Sequence, residues 1–262
     1  MYDIHCHILP GIDDGANSLE EAVEMAIMAK ENGIKAIFAT PHFIEGAGYS
    51  DFPHNKKVLD NLNAELRKRD IDIKIYPGCE VYSAPNLLEL LEKEQITTLN
   101  SSNYMLVELP MNDIPIYIES MIYNLKLKGI TPIIAHPERN TGIIRDPNIL
   151  RNFILKGALA QLNLPSLLGV YGESVKETAR ILLDHNMIHF VATDAHRPNK
   201  RYYNIEEALN ILNDLIGESE FSRITVFNPE SIISGINIEA DEPKLYNPKK
   251  GLKKFFGKLF KK

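Results

Sequence analysis

The chain has no tryptophan and only two cysteines, Cys6 and Cys79, among 262 residues. Two thiols are too few for a disulfide framework, so an apolar core has to hold the fold. No run approaches the ~20 consecutive apolar residues that cross a bilayer as a helix. The opening residues, MYDIHCH, lack a basic stretch leading into an apolar one. That sets aside an export signal and makes a cytoplasmic protein the expectation. There is no internal repeat and, before residue 240, no linker rich in Gly, Ser or Pro. Positive charge is scarce as well. The formal net charge is −6, and without the seven lysines of the closing stretch KKGLKKFFGKLFKK the remainder carries −13. A body of that sign repels polyanions, which argues against nucleic acid as a partner.

Length and periodicity are present instead. Short apolar, β-branched-rich runs recur along the chain: YDIH, IKAIFAT, IKIYPG, YMLVEL, ITPIIAH, ALAQLN and IHFVATD. Between the first two, SLEEAVEMAIMAKENG offers Ser18 and Glu21 as a capping box. Val23, Ala26, Ile27 and Ile34 follow at helical spacing, with Gly33 as the stop. Further helices are expected over about 55–69, 84–93, 115–128, 147–156, 173–186 and 204–216. Such alternation, with nearly continuous apolar strands, implies an α/β fold whose parallel sheet is covered by helices. Seven units in about 215 residues fit a closed β/α barrel over residues 1–248, followed by a basic tail at 249–262.

The polar residues fall at the strand ends. The first strand ends in His5 and His7, the second in His42, the third in Glu80, the fourth in Glu108 and the fifth in His136. The sixth offers Gln161 and Asn163, and the seventh ends in Asp194 and His196. A β/α barrel gathers these ends on one face, where active sites form. Taken singly, a histidine at a strand end is usually a solvated polar residue, and Glu108 before Leu-Pro also fits an ordinary loop carboxylate. The pair His5–Cys6–His7 says more, because alternation sends both imidazoles one way and Cys6 the other. Asp194–Ala195–His196 repeats the arrangement. With Asp14 these residues make nine candidate ligands: His5, His7, Asp14, His42, Glu80, Glu108, His136, Asp194 and His196. Imidazole and carboxylate without thiolate suit Mn²⁺, Fe²⁺ or Zn²⁺. Nine ligands are too many for one ion, so a cluster of two or three divalent ions bridged by a carboxylate is expected.

HCH near the start, TPH, GCE, VEL, AHPER and TDAH together resemble the polymerase-and-histidinol-phosphatase (PHP) superfamily of metal-dependent phosphoesterases. HCHILPGIDDGA with AHPER more narrowly resembles the bacterial protein-tyrosine phosphatases of capsule and exopolysaccharide gene clusters. The resemblance runs from residue 1 to about 235. It implies a distorted (β/α)7 TIM-like barrel and three ions, with manganese favoured. His5, His7, Glu80 and Asp194 would hold the first, Glu80, Glu108 and His136 the second, and Asp14, His42 and His196 the third. Asp13 either orients a histidine or is merely solvated. Water activated on the ions would attack phosphorus in line with a leaving phenolate.

Arg139, three residues beyond His136, either grips the phosphoryl oxygens or pairs with Glu138. The resemblance also implies an arginine from the loop after the last ligand; Arg201 is preferred over Arg197. A cysteine mechanism is excluded, because it needs an arginine six positions after the thiol, where Ile12 and Pro85 stand. Phe43, Tyr49 and Phe52, in the loop after His42, either stack on a phenyl phosphate or fold the loop on itself. The expected substrate is phosphotyrosine, on a membrane-associated bacterial tyrosine kinase of polysaccharide synthesis. Histidinol phosphate or another small phosphomonoester is the rival substrate, and a non-catalytic, metal-stabilised kinase-binding scaffold the rival role. In the tail, Leu252, Phe255, Phe256, Leu259 and Phe260 form one helical stripe among lysines. That pattern suits the surface of an anionic membrane, or else a packing or partner-binding segment.

Overall fold

All seven expected strands form in a computed structural model that describes residues 1–198 and 205–247; Arg201 and the tail at 249–262 lie outside the described residues. The first strand is β1 (Asp3–Cys6). The second is broken into β2 (Ala36–Ala39) and β3 (His42–Phe43), and the third into β4 (Lys74–Pro77) and β5 (Glu80–Tyr82). Both breaks have steric causes. Pro41 has no N–H for a ladder. At Gly78 a Cβ would lie 2.9 Å from Leu99 Cδ2 and 3.1 Å from Ala39 O, too close for any side chain to be added without movement. The remaining strands are β6 (Tyr104–Glu108), β7 (Thr131–Ala135), β8 (Leu159–Asn163) and β9 (Phe190–Ala192).

Every pairing is parallel, in sheets ordered β1-β2-β4 and β3-β5-β6-β7-β8-β9. Because β2 runs on into β3 and β4 into β5, the two sheets follow one another around a ring. The distortion lies at the seam. Among the described residues no ladder joins β9 to β1, only a parallel bridge between Cys6 and Ala195. Asp194 N–H donates to His5 O and His7 N–H to Ala195 O, each at 2.9 Å. The buried carboxylate of Asp3 adds a staple, accepting from Thr193 N at 3.0 Å and Thr193 Oγ1 at 2.5 Å.

Strand alternation then sorts the interior. Tyr104–Leu106–Glu108, Leu159–Gln161–Asn163 and Phe190–Ala192–Asp194 each step by two, apolar at the start and polar at the end. Ile4, Phe38, Tyr104, Leu106, Ile133, Leu159 and Phe190 form one inner apolar cluster. Cys6, Ile37, Val107, Ile134, Leu162 and Val191 belong instead to the larger core shared with the helices. The C-terminal end of the barrel is left to polar residues.

The expected helices form as α1 (Leu19–Glu31), α2 (Phe52–Lys68), α3 (Leu87–Glu92), α4 (Ile118–Leu127), Asn148–Leu155, Glu173–Asp184 and Ile205–Ile216. Two details of α1 differ from expectation. Ser18 Oγ accepts from Glu21 N, but the Glu21 carboxylate reaches back to Asn17 N at 2.9 Å, one residue before the cap. Ile27 is 38% exposed, and Met25, Met28 and Ala29 supply the buried face. Unexpected short helices occur at Thr141–Arg145 and Leu164–Leu167, and the chain beyond 216 folds into Glu218–Ser222, a π-turn at Arg223–Phe227, and Asn228–Ser234.

Just before β9, His189 is buried with its Nδ1 accepting from Ala160 N at 3.2 Å. Burial, and secondarily the charge of Arg223, push its pKa down to about 3. The native state therefore refuses a proton that the unfolded chain takes up below about pH 6.5. This contribution to stability is complete above that pH and is lost as the pH falls toward the native value. Between pH 7 and pH 5 the loss is about 2 kcal/mol. In urea melts of the chelated proteins, the stability difference between wild type and His189→Gln should shift against the wild type by that order between pH 7 and pH 5, the other histidines cancelling in the comparison. Identical pH dependence in the two proteins would contradict the assignment.

Candidate metal centre

His5, His7, Glu80 and Asp194 arrive from β1, β5 and the end of β9, and all four are buried. His5 Nε2 and His7 Nε2 are 3.2 Å apart, and each lies 3.2–3.4 Å from Glu80 Oε2 and Asp194 Oδ1. His5 Nε2, His7 Nε2 and Glu80 Oε2 thus form a triangle of donor atoms close enough together to share one divalent ion, with Asp194 Oδ1 on the far side of the two imidazoles. Glu80 Oε2 is buried and accepts no hydrogen bond among the described residues. Yet His5 Nε2, His7 Nε2 and His42 Nδ1 stand only 2.9–3.3 Å from it. Three imidazole nitrogens converging on a carboxylate oxygen that accepts no hydrogen bond call for positive charge between them, and the donor set fits a divalent cation.

Two more groupings share this corner. Glu80 Oε1 is 3.0 Å from His136 Nε2, which lies 3.9 Å from Glu108 Oε1. Glu108 Oε2 is 3.8 Å from His42 Nδ1, so His42 also borders this second group. On the outer side, Asp14 Oδ1 stands 3.7 Å from His42 Nε2 and 3.5 Å from His196 Nε2. The nine candidate ligands thus lie in one cluster, whose tightest groups are His5–His7–Glu80, His42–Glu80–Glu108 and His7–Asp14–His42–His196. These differ from the expected sets in placing His42 rather than His136 with Glu80 and Glu108, in adding His7 to the outer group, and in leaving Asp194 out of the first.

The electrostatics point the same way. Burial alone would lower the pKa of His5, but the charges of Glu80 and Asp194 hold it up at about 9. Burial likewise works against His7, which Asp13, Asp194 and Glu80 keep well above the usual imidazole value. Burial would raise Glu80, yet the surrounding histidines hold it well below the carboxylate range. The carboxylates thus demand positive charge, and a divalent ion supplies it while displacing protons.

Other groups turn the ligand atoms toward the centre. Asp13 is buried, and its Oδ2 accepts from His7 Nδ1 at 2.7 Å and from His42 N at 3.0 Å, while its Oδ1 accepts from Gly15 N. Of its two readings, orientation of a histidine is the one the geometry favours. Gly15 has a steric reason, because a Cβ there would sit 2.0 Å from His7 O. His196 Nδ1 faces Asp194 O at 2.9 Å, leaving Nε2 toward Asp14. His136 and Asp194 both have left-handed backbones, φ 32° and 52°, unusual for residues with a Cβ.

A cavity of about 350 Å³ opens over the donors, lined by Asp14, His42, Glu108, His136, Asp194 and His196 together with Arg139 and Arg197. Arg139 does not pair with Glu138. Its Nη1 donates to Asp194 Oδ2 at 2.9 Å and its guanidinium lies 4.5 Å from the Tyr171 ring. Glu138 is fully buried, accepting from Asn163 N and Ser166 Oγ. Arg197 donates to Glu21 at the cavity edge, whereas Arg201 lies outside the described residues. The aromatic candidates separate. Phe43 is only 6% exposed and packs in the outer core, so it is unavailable for stacking. Phe52 begins α2 and borders a different depression with Pro53, Leu91 and Ile96. Tyr49 alone stays near, its ring 6.2 Å from that of His42. Sequence reasoning noted Gln161 and Asn163 without a role and missed Tyr171; the former pair carries the same two-residue spacing at a strand end as His5 and His7.

Curated relatives match the chain over most of their own length. The chain is 39% identical over 243 residues to the tyrosine-protein phosphatase YwqE of Bacillus subtilis, covering 93% of this chain and 95% of that protein. It is 31% identical over 240 residues to the tyrosine-protein phosphatase CpsB of Streptococcus pneumoniae, covering 89% and 98%. Among solved structures, one from a study of YwqE and CpsB, described as unique metal-dependent tyrosine phosphatases, superposes with a TM-score of 0.90 at 37% identity, covering 95% of this chain and 100% of that one. A lactonase from Listeria monocytogenes, at TM-score 0.54 and 16% identity, shares the fold alone. The family model for capsular polysaccharide synthesis, CpsB/CapC, matches residues 1–234, and the chain belongs to that family.

Proposed function

We propose that this protein is a metal-dependent protein-tyrosine phosphatase, and the observation that carries the reading is the convergence of His5, His7 and His42 ring nitrogens on the buried Glu80 Oε2, which accepts no hydrogen bond among the described residues. His5, His7, Glu80 and Asp194 would hold one ion, Glu80, Glu108 and His136 a second, and Asp14, His42 and His196 a third. Manganese is our reading, with iron or zinc chemically suitable. When bound, such ions supply an activated water and positive charge toward phosphoryl oxygens.

The chain's own residues do the rest. Asp13 fixes the His7 ring so that Nε2 faces inward. Arg139 lines the cavity and has N–H groups beyond the one given to Asp194, so a planar fork stands ready for a phosphoryl oxygen. Arg201 is proposed as the second cation on the phosphate. Tyr49 beside His42 would flank the phenyl ring of the substrate. Both cysteines are buried, and burial pushes the Cys79 thiol above its ordinary range, which argues against a thiolate nucleophile there. The substrate is proposed to be a phosphotyrosine protein, a membrane-associated bacterial tyrosine kinase of polysaccharide synthesis, in keeping with the family and the names of the relatives. Among the described residues no helix is long and apolar enough to cross a membrane. We place the protein in the cytoplasm, held at the inner membrane face by the basic tail at 249–262.

Chelation should abolish hydrolysis of a phosphotyrosine peptide and Mn²⁺ should restore it, with histidinol phosphate turned over far more slowly. Strong preference for histidinol phosphate would favour the small-substrate reading. A folded His136→Ala variant that retained full activity would overturn the assignment of that ligand, whereas a folded wild type with no activity would leave the scaffold role. Arg139→Ala should lower kcat/KM by about 10- to 100-fold, the range for one hydrogen bond to a charged group. Arg139→Lys should recover little of it, because an ammonium lacks the fork. In co-sedimentation with anionic liposomes, the full chain should pellet and a 1–248 truncation should not; equal binding would remove the membrane role.

A further inference from the structure

We infer that Gln161 and Asn163 are positioning residues, forming a hydrogen-bond relay of fixed direction that couples His5 to Asp194 across the back of the metal centre. The inference rests on the metal-centre reading above. Both side chains are fully buried at the end of β8, two residues apart on the inner face. His5 Nδ1 lies 2.9 Å from Gln161 Oε1, Gln161 Nε2 donates to Asn163 Oδ1 at 2.8 Å, and Asn163 Nδ2 donates to Asp194 Oδ2 at 2.8 Å.

The direction follows from the carboxylate end. An ionised carboxylate only accepts, so Asn163 must present its NH₂ to Asp194. Its oxygen then faces Gln161, which must present its own NH₂. The Gln161 oxygen is thereby turned on His5, which must carry its proton on Nδ1. Nε2 is left with the lone pair, aimed at the donor cluster of His7 and Glu80. At the other end, Asn163 and Arg139 together occupy Asp194 Oδ2, so Oδ1 alone faces His5 and His7. One chain of amides therefore selects the donor atom of two ligands on opposite sides of the barrel seam. Its position is anchored, since Asn163 N donates to the buried Glu138 Oε1 at 2.9 Å.

A relay fails as a unit. Gln161→Met and Asn163→Leu keep the volume and remove the polar groups, and the double variant strands no more unpaired groups than either single one. In Mn²⁺ titrations followed by electron paramagnetic resonance of the free ion, each single variant should bind one class of ion about 10- to 100-fold more weakly. The double variant should match the weaker single variant within about twofold. In Zn²⁺-loaded protein, ¹⁵N NMR should show the His5 Nδ1–H signature disturbed by Asn163→Leu, although Asn163 does not touch His5. Far-UV circular dichroism of the chelated proteins checks the fold, and Gln161→Asn, too short to span the relay, replaces a single variant that fails to fold. Wild-type binding in either single variant, losses that multiply in the double, or an undisturbed His5 signal in Asn163→Leu would overturn the relay. Absence of Mn²⁺ binding by the wild type would instead overturn the metal reading beneath it.

Discussion

A carboxylate without access to water sits at the centre of the barrel mouth, and much of the architecture makes that tolerable. Desolvating one unpaired carboxylate costs several kcal/mol, so Glu80 is stable in place only if positive charge surrounds it. His5 from β1, His42 from β3, and His7 and His136 from just beyond β1 and β7 do surround it. The break at Gly78 lets β5 start afresh with Glu80, paired in register with His42 across from it on β3. A regular, unbroken third strand would carry the same residues but not the same approach. The two interruptions in the ladder are therefore part of how the centre is built.

Strain and satisfaction are arranged around the same point. His136 and Asp194 hold backbone conformations that cost on the order of 1–3 kcal/mol each. They persist because neighbours over-determine them. Arg139 N–H donates to His136 O in the turn that follows β7. Asp194 is tied by its own N–H to His5 O, and the preceding Thr193 is gripped by Asp3. The left-handed turn at Asp194 is also where the barrel seam closes, so the site and the seam are held by the same few bonds. Loosening one loosens the other.

Most of this was legible in the sequence because it is carried by period two. Polar residues at the ends of apolar runs identify the rim whatever the details of the loops, and His5–Cys6–His7 needs only strand alternation to declare its geometry. The seven-unit α/β barrel followed from the same runs. What escaped notice depends on tertiary context. Phe43 reads as an aromatic in a long loop, yet it is the last residue of β3 and points into the outer core. Glu138 reads as a partner for its neighbour Arg139, but its buried oxygen is taken by Asn163 N and Ser166, twenty-five and more positions away. The helix at Thr141–Arg145 is too short for a periodic signal and starts only because Asn140 Oδ1 accepts from Gly142 N and Ile143 N. The split of the second and third strands comes from one proline and one close backbone approach.

An acidic protein that handles a phosphate ester faces an electrostatic problem which its cavity cannot solve with side chains alone. Asp14, Glu108 and Asp194 line the cavity, and the two arginines that line it already donate to carboxylates, Arg139 to Asp194 and Arg197 to Glu21. Stripped of ions, this cavity would meet a phosphate dianion with a field of the wrong sign or with none. With divalent ions bound, as we propose, the same carboxylates would serve as ligands rather than repellent charges, and Arg139 would be left to read the oxygens. Substrate affinity and hydrolysis therefore have a common origin, and the metal requirement extends to binding as well as to chemistry. A thiol phosphatase meets the dianion with backbone amides and an arginine. This fold assigns the same task to a cluster of imidazoles and carboxylates that has no affinity for phosphate until positive charge is placed among them.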